Sequence, residues 1–147
     1  MSDTSLPPEL YSALTDLLGP SGFLTNSTDT ESYCTDWRML YHGRCAAVLR
    51  PATTADCAKA VSLCVQHGVP MVPQGGNTSM VGGATPDTSG KAVVISTTRM
   101  NRILNIDHAD LTMTVEAGVT LKAAQDAALK EGLMLPLSIS SEGSADI

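Results

Sequence analysis

Within residues 46–72 the chain spells a strand, a helix and a second strand, and a glycine-rich segment follows at once. Residues 46–49 (Ala-Ala-Val-Leu) form a short apolar run that Pro51 ends. Thr53 or Thr54 is placed to cap a helix running to His67, with Cys57, Ala60, Val61, Cys64 and Val65 spaced by threes and fours as one buried stripe. Gly68 closes that helix and Pro70 blocks its continuation. Residues 69–72 return as a strand. Two strands joined by a helix in this way are predicted to run parallel, because the crossover brings the chain back to the same end of the sheet.

The next stretch, residues 71–86, reads Met-Val-Pro-Gln-Gly-Gly-Asn-Thr-Ser-Met-Val-Gly-Gly-Ala-Thr-Pro. The pairs Gly75-Gly76 and Gly82-Gly83 bracket a short polar run at the carboxyl end of the second strand, where open α/β sheets bind ligands. Glycine has no Cβ and tolerates positive φ, so successive backbone N–H groups can converge on an anion. Diphosphate, whose oxygens only accept hydrogen bonds, suits such a surface, so the leading reading of the segment is a site for a nucleotide cofactor, the alternative being an ordinary turn punctuated by glycine and proline. It contains neither Gly-x-Gly-x-x-Gly nor Gly-x-x-x-x-Gly-Lys-Ser/Thr, which sets it apart from the dinucleotide fingerprint and the P-loop. The holding groups are then backbone amides with Asn77, Thr78 and Ser79, and no lysine.

Elsewhere the pattern predicts a helix over 8–18 with Leu10, Leu14, Leu17 and Leu18 on one face, and an irregular stretch over 20–45. A third apolar strand follows at 92–96. Strands at 103–107 and 111–116 flank the turn His108-Ala109-Asp110, the second with Leu111, Met113 and Val115 turned inward and Glu116 on an exposed face. Thr120 is placed to cap a last helix through Lys130, with Leu121, Ala124, Ala128 and Leu129 inward and Gly132 beyond its end.

With 43% hydrophobic and 16% charged residues, the 147-residue chain is globular rather than disordered. A net charge of −6 without a basic cluster argues against nucleic acid as a partner, and no apolar run is long enough for membrane insertion. The first residues lack the charged and apolar regions of an export signal, so a cytoplasmic location is expected. Cys34, Cys45, Cys57 and Cys64 have no metal-ligand spacing and read as reduced thiols acting as small apolar residues. His67 suits a helix end, His108 a solvent-exposed turn, and His42 has no assigned role; no metal site and no catalytic residue is assigned. Asp36 and Arg38 form a local ion pair beside Trp37, which is expected to pack across the domain, and Met71, Met80, Met100, Met113 and Met134 are read as core filler. Any redox chemistry must come from a cofactor.

In this order the features resemble the FAD-binding (PCMH-type) domain of the vanillyl-alcohol-oxidase/p-cresol-methylhydroxylase flavoproteins. Within that class they look most like FAD-linked 2-hydroxy-acid dehydrogenases of the D-lactate, glycolate and D-2-hydroxyglutarate type. The resemblance is carried by residues 48–51, 69–83, 99–103, 114–121 and 136–147. It implies a mixed α+β fold in which 1–45 is an N-terminal helix and lead-in, 46–98 an α/β subdomain with parallel strands and the pyrophosphate loop, and 99–147 the start of a second, antiparallel subdomain. It places Gly75, Gly76, Asn77, Thr78, Ser79 and Gly82 around the FAD diphosphate, with Pro73 and Gln74 entering the loop, and Pro136, Ser140, Gly143 and Ser144 along the flavin. Ser79 stands where the family commonly has glycine. Asn77 stands where covalently flavinylated relatives often carry histidine, so non-covalent FAD is expected. The family's continuation, with the rest of the flavin site and the residues for substrate and metal, is not in this stretch. The chain is therefore read as the amino-terminal part of an FAD-dependent oxidoreductase on a 2-hydroxy acid, inactive by itself and completed by a C-terminal portion, with homodimerisation open. The alternatives are one piece of a split enzyme with a partner chain, or a non-catalytic flavin- or nucleotide-binding module.

Overall fold

The computed structural model describes residues 6–147; the reading of residues 1–5 as part of a start without an export signal lies outside the described residues. Ten elements follow one another: α1 (Pro8–Gly22), β1 (Phe23–Leu24), α2 (Ser27–Cys34), β2 (Ala47–Leu49), α3 (Thr54–Gln66), β3 (Met71–Gln74), β4 (Val93–Ser96), β5 (Ile103–Asp107), β6 (Thr112–Val115) and α4 (Leu121–Lys130). Four strands make one sheet in the order β1-β2-β4-β3, with β2, β4 and β3 parallel and β1 antiparallel at the edge. The expected strand-helix-strand unit is present, but β4 inserts between its two strands. β5 and β6 form a separate antiparallel pair. The fold is thus mixed α+β, with a parallel and an antiparallel part.

The core lies where α1 and α3 cover one face of the sheet. Leu10 and Leu14 of α1 meet Ala60 and Cys64 of α3 over Ala47, Leu49 and Val93, all fully buried. Val48 and Val94, on the opposite face, are equally buried, as strands of a parallel sheet usually are. α3 begins at Thr53, whose hydroxyl accepts the Asp56 N–H at 3.0 Å. Its stripe is narrower than expected: Val65 is exposed, and Leu63 packs against the core instead. α1 runs past the predicted end because a second helical piece follows Gly19, which takes φ 63° ahead of Pro20. In the stretch read as irregular, Asn26 caps α2 by accepting the Thr28 N–H.

The antiparallel pair differs from the simple alternation. Asp107 accepts the N–H groups of Ala109 and Asp110 at 2.8 and 3.0 Å, making the turn, and Leu111 then adopts φ 52° and stands in solvent. Glu116, expected on an exposed face, is 7% exposed. Its carboxylate accepts the Arg102 backbone N–H at 2.8 Å and the Arg102 Nε–H at 3.0 Å, which pays for its burial. Leu129, Met80, Met134 and Trp37 were expected inward and are exposed. Trp37 lies instead beside the Arg38 guanidinium, 6.0 Å from its ring centre.

The residues after α4 return to its start. The carbonyls of Ala145 and Glu142 accept the N–H groups of Leu121 and Lys122 at 2.9 and 2.8 Å, satisfying first-turn donors that a helix leaves open. The tail is thereby laid against the glycine segment. Two glycines mark where backbones nearly touch: a Cβ on Gly118 would lie 2.0 Å from the Thr97 carbonyl oxygen, and one on Gly76 would lie 1.5 Å from that of Ser144.

Two outcomes follow for stability. Gly118→Ala is expected to lose several kcal/mol or fail to fold, since backbone must move to admit the methyl. Gly83→Ala, with nothing near its added carbon and no left-handed φ, is expected to stay within about 1 kcal/mol of the parent; chemical denaturation of both variants checks the contrast. Asp36 and Glu116 both sit below the ordinary carboxylate range. Arg102 holds Glu116 there; for Asp36, burial pushes the other way but is outweighed by the N–H donors of Tyr41, Leu40 and Arg38. Their stabilisation is complete above the unfolded carboxyl value and is lost as pH falls through the lowered folded values. Melting temperature should therefore drop on acidification below the carboxyl range, and Glu116→Gln should flatten part of that drop.

Candidate cofactor site

The carboxyl ends of β3 and β4 open into a cleft of about 460 Å³ lined by Pro73, Gln74, Gly75, Gly76, Asn77, Thr78 and Ser79 on one side. Thr97, Ala117 and Asp146 are on the other, with Ala84 and Ile147 at its margins. Its size falls in the range of small-molecule sites. The floor is set by Gln74, 3% exposed, whose side-chain N–H₂ donates to the carbonyls of Tyr33 at 2.9 Å and Ala84 at 2.7 Å. The first bond ties the base of the glycine segment to α2. The second draws the two ends of the segment together, so residues 75–83 project as a closed loop.

Within that loop the backbone turns at Asn77, which takes φ 53°. Asparagine tolerates this region better than other residues with a Cβ. Its Nδ2 donates to the Thr35 carbonyl at 2.8 Å and, more weakly, to that of Ser32 at 3.4 Å, which fixes which amide atom faces α2. Its Oδ1 is buried and has no donor among the described residues. Among the described residues, the backbone N–H groups of Gly75, Gly76, Asn77, Thr78, Ser79 and Met80 donate to no protein acceptor; only at Val81 does a local bond to Ser79 Oγ resume. Six successive donors without acceptors among the described residues, five of them on half-buried residues lining a cleft and the sixth, Met80, exposed, are open to a partner from outside the chain.

The electrostatics of the cleft are local. No lysine or arginine lines it. Its one ionisable side chain is Asp146, whose carboxyl is pushed above the ordinary value by burial, partly offset by the Thr97 hydroxyl at 3.2 Å. An anion here is therefore held by amide dipoles and hydroxyls and faces one carboxyl group whose charged form burial disfavours. The residues fit an acceptor-only group such as a diphosphate, and Asn77 Oδ1 supplies an acceptor for a hydroxyl or ring N–H of the same ligand.

Of the residues singled out from the sequence, Pro73 through Ser79 come together in this cleft. Gly82 sits on the outer flank at φ 72°, where a Cβ would lie 3.0 Å from the Tyr41 ring. Ser144 meets the loop through its backbone, beneath Gly76. Pro136, Ser140 and Gly143 are exposed and are not among the lining residues. Sequence reasoning missed Thr97 and Asp146, which bond to each other across 49 positions of chain. It also missed the Tyr33 and Thr35 carbonyls; no local pattern marks either pair.

Comparison with known proteins agrees with this geometry. The chain is 31% identical over 128 residues to a bovine (Bos taurus) mitochondrial D-2-hydroxyglutarate dehydrogenase, covering 87% of the chain and 23% of that protein. It is 33% identical over 128 residues to the glycolate oxidase subunit GlcD of Bacillus subtilis, covering 87% and 27%. It therefore spans about a quarter of the length of these relatives. Its fold matches that of alkyldihydroxyacetonephosphate synthase with a TM-score of 0.86 at 19% identity, covering 96% of the chain and 28% of that protein. It matches p-cresol methylhydroxylase with a TM-score of 0.78 at 23% identity, covering 95% and 28%. The family model described as "FAD binding domain" matches residues 45–147, the stretch that holds the whole cleft, and the chain belongs to that family.

Proposed function

We propose that this chain is the FAD-holding, amino-terminal part of an oxidoreductase that takes a hydride from a 2-hydroxy acid, and that it binds FAD without a covalent link. The observation that carries the reading is the run of six N–H groups over Gly75–Met80 that have no acceptor among the described residues, beside a cleft that no lysine or arginine lines. The dehydrogenase and oxidase names of the relatives support the reaction class and the hydroxy-acid substrate.

In this reading Gly75, Gly76, Asn77, Thr78 and Ser79 hold the diphosphate through backbone N–H, with the Thr78 and Ser79 hydroxyls as further donors. Gln74 keeps the loop closed around it. Gly82 stiffens the loop's outer flank against Tyr41, and Pro73 leads the chain in. Ser144 and Gly143 belong to the tail that backs the loop, and Pro136 and Ser140 are assigned to the flavin side of the site in the longer protein. Asn77 presents an amide, which forms no bond to a flavin carbon. When bound, FAD supplies the hydride acceptor and the redox chemistry. The work of this chain is to bind and orient it.

Purified protein titrated with FAD is expected to quench flavin fluorescence saturably but with weak affinity, since the rest of the flavin site is absent, and acid precipitation should release all of the flavin into the supernatant. Flavin retained in the pellet would contradict the non-covalent reading, and no saturable binding would contradict the site. In the full-length protein, D-2-hydroxyglutarate, D-lactate or glycolate should bleach the flavin anaerobically; failure of all three would remove the substrate class while leaving FAD binding intact. Asp146→Asn is expected to tighten FAD by about fivefold at neutral pH, the effect of roughly 1 kcal/mol from one like charge in a half-buried site. In the parent, affinity should rise as pH falls through the raised Asp146 value, because protonation removes that charge, and the variant should lack this dependence.

A further inference from the structure

We propose that Cys34 and Cys45 form a peroxide-oxidised dithiol, a modification site whose disulfide clamps the loop that braces the glycine segment. The two sulfurs stand 3.3 Å apart, one at the end of α2 and the other just ahead of β2. A disulfide bond of about 2.05 Å needs only a small approach from there. The backbone already holds the ends of the loop together: the Gly43 N–H donates to the Cys34 carbonyl at 2.8 Å, and Thr35 and His42 pair as an antiparallel bridge.

Cys34 differs from the chain's other three cysteines. Cys34 is lowered to about 7, chiefly by its hydrogen bond with Cys45, which that same bond pushes up, and burial raises Cys57 and Cys64. At neutral pH Cys34 has thiolate character and the other three stay protonated thiols. Cys34 is 7% exposed, but its partner is half-buried, and hydrogen peroxide is close to water in size. The thiolate attacks one peroxide oxygen, the O–O bond breaks, and hydroxide leaves with a proton taken from solvent to form water. The resulting sulfenic acid is attacked by the Cys45 sulfur, the S–O bond breaks as the S–S bond forms, and the Cys45 proton leaves in a second water. Two thiols are oxidised by two electrons and one peroxide is reduced.

The loop between them carries the Asp36 turn, in which a buried carboxylate accepts the N–H groups of Leu40 and Tyr41, both at 2.7 Å. It also reaches the glycine segment at several points. Asn77 donates to Thr35, Arg38 donates to the Met80 carbonyl, and the Tyr41 ring packs on Gly82. A covalent bond between Cys34 and Cys45 fixes both ends of that brace.

The test uses the unaltered protein. After treatment with hydrogen peroxide and alkylation, tryptic mapping without reductant should join the peptide ending at Arg38 to the one beginning at Cys45, and fragmentation should place the bond on Cys45 rather than Cys57. Hydrogen exchange at residues 36–44 should slow by about tenfold or more, the scale of a cross-link closing a short loop. In Cys45→Ser, dimedone should trap a sulfenic acid on Cys34. Cys34 and Cys45 left alkylated while Cys57 or Cys64 oxidises first would overturn the site. A linked pair with unchanged exchange would overturn the clamp.

Discussion

The carboxamide of Gln74 is the contact on which the site depends. It is one side chain, buried at the last position of an edge strand, and both of its N–H bonds end on backbone carbonyls of different segments. A buried carboxamide is tolerated because it is satisfied, and each carbonyl it serves would otherwise be an orphan acceptor. Through Ala84 it closes the glycine loop, and through Tyr33 it fastens that loop to α2. The six N–H groups, which have no acceptor among the described residues, can stay unpaired because their backbone is held at its base rather than along its length.

That arrangement resolves how an acidic chain offers a place for a strongly anionic group. Binding does not draw on net charge, which is −6. It draws on dipoles fixed in direction, which act at short range and are weakly screened in a partly closed cleft. Asp146 works against this, and its burial moderates the effect by favouring the uncharged carboxyl. The tail that carries Asp146 is held by its bonds to the first turn of α4. The antiparallel part of the fold thereby contributes one wall of a cleft whose floor belongs to the parallel sheet.

Much of this was legible in the sequence where the signal is local. Thr53 and Thr120 cap their helices as their spacing implies, Gly68 and Gly132 follow helix ends, and the glycine segment lies where the strand pattern puts it. The failures have physical reasons. α2 has little apolar periodicity and depends on an Asn26 cap and the sulfur and carbonyl contacts of its last turn. β4 inserts between β2 and β3 because apolar strands of similar length carry no order in their composition. Glu116 reads as a surface residue until Arg102 is brought across the pair to satisfy it. Gly76 looked like a requirement of ligand approach, yet the Ser144 carbonyl is what excludes a side chain there. Thr97 and Asp146 meet only through tertiary structure.

The central claim is that the partnerless amides of residues 75–80 are the groups that hold the FAD diphosphate. Amide-resolved NMR of the ¹⁵N-labelled protein during FAD addition tests it most directly. The account predicts that the Gly75–Met80 N–H resonances shift downfield together with one saturation curve, that ADP shifts the same set, and that riboflavin, which lacks the diphosphate, does not. Saturable FAD binding that leaves those six amides unmoved, or that riboflavin reproduces in full, would contradict it.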